Sequence, residues 1–183
     1  MKTDEAKQIL READLLIGEA EVVSAIERMA LEITARLGES RPVLICVMNG
    51  GLIFSGQLLT RLGFPLEIDY IHATRYGQET RGAQLNWIVR PQLDLSGRTV
   101  LLLDDILDEG ITLAAIADEC RRLGAQEVLM GVLVEKLHLR KVTPGMRADF
   151  SGLEVGDRFL FGYGLDYKGY WRNAPGIYAV KGL

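Results

Sequence analysis

Apolar residues recur every three or four positions between Ala20 and Leu37, where Val22, Val23, Ile26, Met29, Ala30, Ile33 and Leu37 form one stripe. That spacing predicts an amphipathic helix, ended by Gly38. Pro42 then opens VLICVM at 43–48, a continuous apolar run that predicts a strand buried on both faces. Asn49-Gly50-Gly51 breaks the chain, 52–62 returns to helical spacing up to Gly63, and 66–72 alternates loosely as a second strand. Positions 74–86, TRYGQETRGAQLN, are polar and carry almost nothing to bury. A loop of that length reads either as a functional lid or as a solvated hairpin, with a returning strand at 87–89. A turn at 95–98 feeds the strand that starts at Val100 and ends on Asp104 and Asp105, and Leu113, Ile116, Ala117, Cys120 and Leu123 then stripe a helix stopped by Gly124. Another buried strand covers 128–134. From Phe150 onward the pattern dissolves into short apolar pieces, glycines and aromatics, which read as a small irregular lobe over the carboxyl edge of the sheet.

Strands alternating with helices imply right-handed βαβ units, hence an α/β fold with a mainly parallel, five-stranded sheet flanked by helices. One domain is expected over 1–183, with a core over about 20–148, a hood from about 1–19 and 149–183, and a lid over about 74–86. A content of 48% hydrophobic and 25% charged residues is that of an ordinary soluble globule. The net charge of −4 leaves no basic face for non-specific nucleic-acid binding. No apolar run reaches the ~18 residues that span a bilayer, and the start MKTDEAKQIL has no signal-peptide core. Cys46 and Cys120 fall in buried elements without metal spacing, which fits a reducing cytoplasm. Neither His72 nor His138 joins a nucleophile or a triad; the two-residue spacing from Lys136 allows His138 to share its face of the strand, but the favoured reading is a solvated histidine.

The chemistry concentrates in VLLLDDILDEGITL at 100–113. Asp104, Asp105, Asp108 and Glu109 place four carboxylates within six residues. At about 5 Å and an effective dielectric of roughly 20, each like pair costs on the order of 3 kcal/mol. Such crowding is tolerated where a cation sits among the acids or where they perform chemistry. The run lies where a strand gives way to a helix, the ligand crevice of an open α/β sheet. Adjacent carboxylates suit vicinal hydroxyls together with a hard divalent cation. The helix-opening amides from Asp108 to Thr112, with the Thr112 hydroxyl, make an anion cradle. Together they describe a site for a ribose phosphate held with magnesium.

The same run resembles the 5-phosphoribosyl diphosphate (PRPP) signature of the type I phosphoribosyltransferases. Three more segments extend the resemblance over nearly the whole chain: VMNGGLIF at 47–54, the lid with Arg75-Tyr76, and RFLFGYGLDYKGYWRN at 158–173. It is strongest to the hypoxanthine-guanine branch of the family. The resemblance implies that Asp104 and Asp105 engage the ribose hydroxyls, directly or through Mg²⁺, and that Asp108 is the acid–base catalyst at purine N7. It implies that Asp108, Glu109, Gly110, Ile111 and Thr112 bind the 5′-phosphate. Asn49, Gly50, Arg75, Tyr76 and Arg172 would contact pyrophosphate, with a cis peptide at Met48–Asn49. Lys136 would donate to the purine 6-oxo group, Phe159 would stack on the base, the Leu160 carbonyl would accept from the base edge, and Asp166 would hold a second magnesium through water. Expected partners are PRPP and hypoxanthine or guanine, in a homodimer or homotetramer. A xanthine-preferring transferase and an RNA-binding regulator on the same fold are the alternatives. Glu109, Ile111, Asn49 and Arg75 depart from the commonest family pattern; a Glu109 carboxylate facing away from the phosphate would leave only its amide to serve the ligand.

Overall fold

The computed structural model describes residues 1–75 and 85–182. Thirteen elements follow in order: α1 (Thr3–Glu12), β1 (Asp14–Gly18), α2 (Glu19–Leu37), β2 (Val43–Met48), α3 (Gly51–Leu59), β3 (Glu67–Arg75), β4 (Leu85–Val89), β5 (Thr99–Leu107), α4 (Ile111–Arg122), β6 (Glu127–Leu137), β7 (Phe150–Gly156), β8 (Leu160–Phe161) and β9 (Gly176–Ala179). The main sheet has the order β4-β3-β2-β5-β6-β7, in which β3, β2, β5, β6 and β7 are mutually parallel and β4 returns antiparallel along β3.

The continuous apolar runs are explained by what covers each face. Alternate side chains point to opposite sides of a strand. Leu44, Leu101, Leu103, Leu129 and Leu133 meet α2 and α3 through Ile26, Met29, Ile33, Phe54 and Leu58. Val43, Ile45, Val47, Val100, Leu102 and Val132 meet α4 through Leu113, Ile116, Ala117 and Cys120. Each fully buried Leu, Ile or Val contributes roughly 1.5–3 kcal/mol. The chain steps from β2 outward to β3 but from β5 in the other direction to β6, so right-handed crossovers place α3 and α4 on opposite faces. The order therefore reverses between β2 and β5, and a crevice opens at their carboxyl ends.

Several boundaries differ from the sequence expectation. Segment 150–156 is not part of a hood: it pairs parallel with β6 and makes the main sheet six-stranded. Between its buried Phe150 and Val155 stand Ser151, Gly152 and Glu154 with only Leu153 apolar, so FSGLEVG lacks the apolar run of the other strands. The second sheet is smaller, with the antiparallel order β1-β9-β8, and joins the two chain ends. Strand β5 does not stop at Asp104 and Asp105 but continues to Leu107, because Ile106 and Leu107 stay in register with Val134 and Glu135 of β6. Strand β3 likewise runs to Arg75, and most of the expected lid, including Tyr76, lies outside the described residues.

Candidate functional site

At the point where the strand order reverses, a cleft of about 450 Å³ opens between the end of β2 and the end of β5. Its lining brings together Asn49, Gly50, Asp104, Asp105, Asp108, Glu109, Gly110, Ile111, Thr112, Asp166 and Arg172, which come from three separate segments of the sequence. Lys136, Phe159 and Leu160 are not among the residues that line it. For Arg75 only the backbone, at the end of β3, is described.

Two close approaches shape the floor. The Met48–Asn49 peptide is cis, as the resemblance implied. A Cβ at Gly50 would overlap the Asp105 carboxylate, and one at Gly164 would overlap the Gly50 carbonyl, so the C-terminal segment, the turn after β2 and strand β5 meet at a point only glycines allow. The Asp104 side chain accepts from the Asp105 amide at 2.9 Å. Arg172 donates to the Gly164 carbonyl at 2.6 Å, pairs with Asp166 at 2.5 Å and stands 3.9 Å from Asp105.

Crowding has the electrostatic consequence anticipated from the sequence. Burial, and the charge of Asp105 beside it, push the Asp104 carboxyl well above its ordinary range. Asp105 is raised as well, chiefly by burial, against the opposing pull of the Asp104 side chain and the Arg172 charge. The buried Asp105 and half-buried Asp104 carboxylates, with one guanidinium 3.9 Å from Asp105, leave an excess of hard, anionic oxygen donors. That donor set fits a divalent cation such as Mg²⁺.

Asp108 sits in a different environment. Lys136 Nζ lies 2.9 Å from its Oδ2, and His138 Nε2 lies 2.7 Å from its Oδ1. Burial alone would raise this carboxyl, but the two donors outweigh it and hold it below the ordinary range. Lys136 also lies 3.8 Å from Asp157. His138 is therefore not solvated: its ring is 5% exposed and rests on Asp108, because β6 runs three residues further than expected and carries Lys136 and His138 toward one side. The i, i+2 spacing was the signal available for that contact.

Past Asp108 the chain turns into α4 through Gly110, whose φ of 81° is left-handed and where a Cβ would collide with Met146. No side chain caps this helix start and its first turn holds no acid, so the positive end of the helix dipole is left at the cleft, beside Asp108 and Glu109. The segment after β6 braces the acidic turn from behind. Val142 donates to the Glu109 carbonyl at 2.7 Å, and Lys141 donates to the Leu107 carbonyl at 2.8 Å. Nothing in the sequence announced this brace.

On the other side of the C-terminal segment, Phe159 is 44% exposed and meets Tyr167 edge-on at 5.5 Å, so its face is not consumed by the core. Leu160 is buried in β8, opposite Ala179. Two further buried carboxylates went unremarked in the sequence. Asp69 ties β3 to the amides of Gln92 and Leu93, and Glu135 pairs with Arg147, both as braces away from the cleft.

Comparison with known proteins agrees with this geometry. Residues 17–168 match the model of the phosphoribosyl transferase domain. The chain is 34% identical over 169 residues to a hypoxanthine-guanine phosphoribosyltransferase of Bacillus subtilis, covering 91% of this chain and 92% of that one. A hypoxanthine-guanine phosphoribosyltransferase of Aquifex aeolicus is 32% identical over 169 residues, covering 91% and 94% of the two chains. Among solved structures, a hypoxanthine phosphoribosyltransferase from Staphylococcus aureus superposes with a TM-score of 0.88 at 25% identity, covering 95% of each chain.

Proposed function

This chain belongs to the phosphoribosyl transferase domain family, and from that premise we infer that it transfers the 5-phosphoribosyl group of PRPP to N9 of hypoxanthine or guanine. The products are the purine nucleotide and pyrophosphate, and the protein is an enzyme of PRPP-dependent purine salvage. The observation that carries this reading is the cleft at the β2/β5 reversal. It combines buried paired acids, an anion-binding helix start and a separately tuned Asp108.

In this reading the 5′-phosphate rests on the amides of Asp108, Glu109, Gly110, Ile111 and Thr112 and on the Thr112 hydroxyl. Asp104 and Asp105 hold the ribose hydroxyls. Asn49, Gly50 and Arg172 contact the diphosphate, joined by Arg75 and Tyr76 when the lid closes. The geometry fits magnesium held by Asp104 and Asp105, with Asp166 at a second position. When bound, the metal supplies positive charge that neutralises the departing pyrophosphate. Lys136 keeps donors to spare beyond Asp108 and directs one to the purine 6-oxo group, while Phe159 stacks on the base and the Leu160 carbonyl accepts from its edge. As the C1′–O bond to pyrophosphate breaks, positive charge develops at C1′, and the neighbouring carboxylates favour it. N9 then forms the new bond to C1′, and Asp108 takes the proton from N7.

No helix among the described residues is long and apolar enough to cross a membrane. We place the protein in the cytoplasm, where its buried free cysteines Cys46 and Cys120 stay reduced. Leu52, Ile68 and Tyr70, all exposed and apolar on α3 and β3, support assembly into a homodimer or homotetramer.

The test is direct: incubate the protein with PRPP and magnesium plus hypoxanthine, guanine, xanthine or adenine, and follow nucleotide formation. We expect nucleotide and pyrophosphate in equal amounts from hypoxanthine and guanine. Nucleotide from adenine alone would overturn the assignment of the base pocket, and none from any base would overturn the reaction.

A further inference from the structure

We propose that His138 is a positioning residue for the transfer step, holding Oδ1 of Asp108 through its Nε2–H so that the carboxylate stays aimed at purine N7. The geometry fixes the ring's proton. The Arg140 amide donates to His138 Nδ1 at 3.1 Å, so Nδ1 acts as the acceptor and carries no hydrogen. The ring proton is then on Nε2, which lies 2.7 Å from Asp108 Oδ1. The backbone just beyond β6 thus selects the tautomer that donates to the acid, the arrangement by which a neighbouring hydrogen bond sets which imidazole nitrogen acts.

Why a second donor is needed follows from the first. Lys136 grips Oδ2 at 2.9 Å and is also drawn to Asp157. A single donor, on Oδ2 alone, would let the carboxylate rotate about its Cβ–Cγ bond. Two donors, Lys136 in β6 and His138 just past its end, one on each oxygen, fix its plane and leave the remaining lone pairs for the base. His138 suits this task because its ring is 95% covered and cannot swing into solvent without opening the segment after β6. The charged groups around the pair are Lys136, Asp157, Arg140, Lys141 and Glu109. All of them remain in place when His138 alone is changed.

This inference rests on the assignment of Asp108 to N7, and its test separates the two. Steady-state kinetics with PRPP and hypoxanthine on wild type, His138→Leu and His138→Gln supply the first readout. A hydrogen bond to a charged group is worth on the order of tenfold or more in rate. We expect His138→Leu to lose about tenfold in kcat with KM for PRPP within about twofold. His138→Gln, whose amide can still donate, should recover most of the loss. The second readout needs no turnover: the ¹³C titration of the Asp108 carboxyl. Removing a donor to the carboxylate raises its midpoint, so His138→Leu should titrate at higher pH than wild type, with His138→Gln between them. Unchanged kcat in His138→Leu, equal loss in both variants, or an Asp108 midpoint that does not move would each overturn the positioning role. A moved midpoint in a protein that forms no nucleotide would uphold the hydrogen bond and overturn the reaction instead. Should His138→Leu fold poorly, His138→Gln and the wild-type imidazole ¹⁵N pattern still decide, because a proton found on Nδ1 would contradict the tautomer.

Discussion

Asp104 and Asp108 are four residues apart and are tuned in opposite directions, which is how one short segment can both bind and catalyse. Asp104 has a folded pKa above its unfolded value, so the folded state binds the proton more tightly. Stability contributed by that proton is present below the ordinary carboxylate value near ~4 and is lost as pH rises through the folded one. Asp104→Asn keeps the acceptor used by the Asp105 amide and removes one buried charge. We expect it to melt a few degrees higher than wild type at pH 7, with the gap closing toward pH 4 in scanning calorimetry, while binding PRPP more weakly. An unchanged Tm at pH 7 would remove the claim that burial and the Asp105 charge together make this carboxylate costly. For Asp108 the sign reverses. Its stability contribution is present above the unfolded value and lost as pH falls through the lower folded one. Asp108→Asn should leave PRPP binding in place and lower kcat by roughly 10²-fold or more, measured by single-turnover nucleotide formation. Residue types at this scale were legible because four acids in six positions repel one another too strongly to persist without a ligand or a reaction that uses them. The partners of Asp108 were less so, since Lys136 and His138 lie 28 and 30 residues further along the chain.

At the scale of elements, the site depends on a strand that outlasts its apolar run and on a helix that starts without a side-chain cap. Gly110 links the two with a left-handed turn packed on Met146. Gly110→Ala would strain that turn by about 1–3 kcal/mol and push Met146 away, misaligning the opening amides of α4. Its expected signature is a KM for PRPP raised at least severalfold with a smaller change in KM for hypoxanthine; the reverse pattern would mean these amides do not hold the phosphate. Helices α2 and α4 and strand β2 could be read from periodicity within a residue or two of their observed bounds. Strand β7 could not, because Ser151, Gly152 and Glu154 interrupt its apolar residues and its place is set by pairing with β6. The ends of β5 and β6 were missed for the same reason: Asp104, Asp105 and Lys136 look like terminators by composition, yet ladder pairing carries the backbone past them.

Over the whole molecule, the direction of each crossover decides where the chemistry lies. Stepping outward from β2 on one side and β5 on the other splays the strand ends, and the C-terminal segment closes over that opening at the Gly50–Gly164 approach. The fold class and the acidic and helix-start residues of the cleft were legible in the sequence, whereas the six-stranded count and the brace from 138–146 emerge only from long-range packing. All of it depends on the paired acids existing to hold a metal-bound sugar diphosphate. Calorimetric titration of the wild-type protein with PRPP, with and without magnesium, tests that most directly. We expect saturable heat that requires magnesium, accompanied by thermal stabilisation worth about 2.7 kcal/mol at a hundredfold excess over Kd. A correctly folded protein that gives neither heat nor a shift in melting temperature on adding PRPP and magnesium would contradict it.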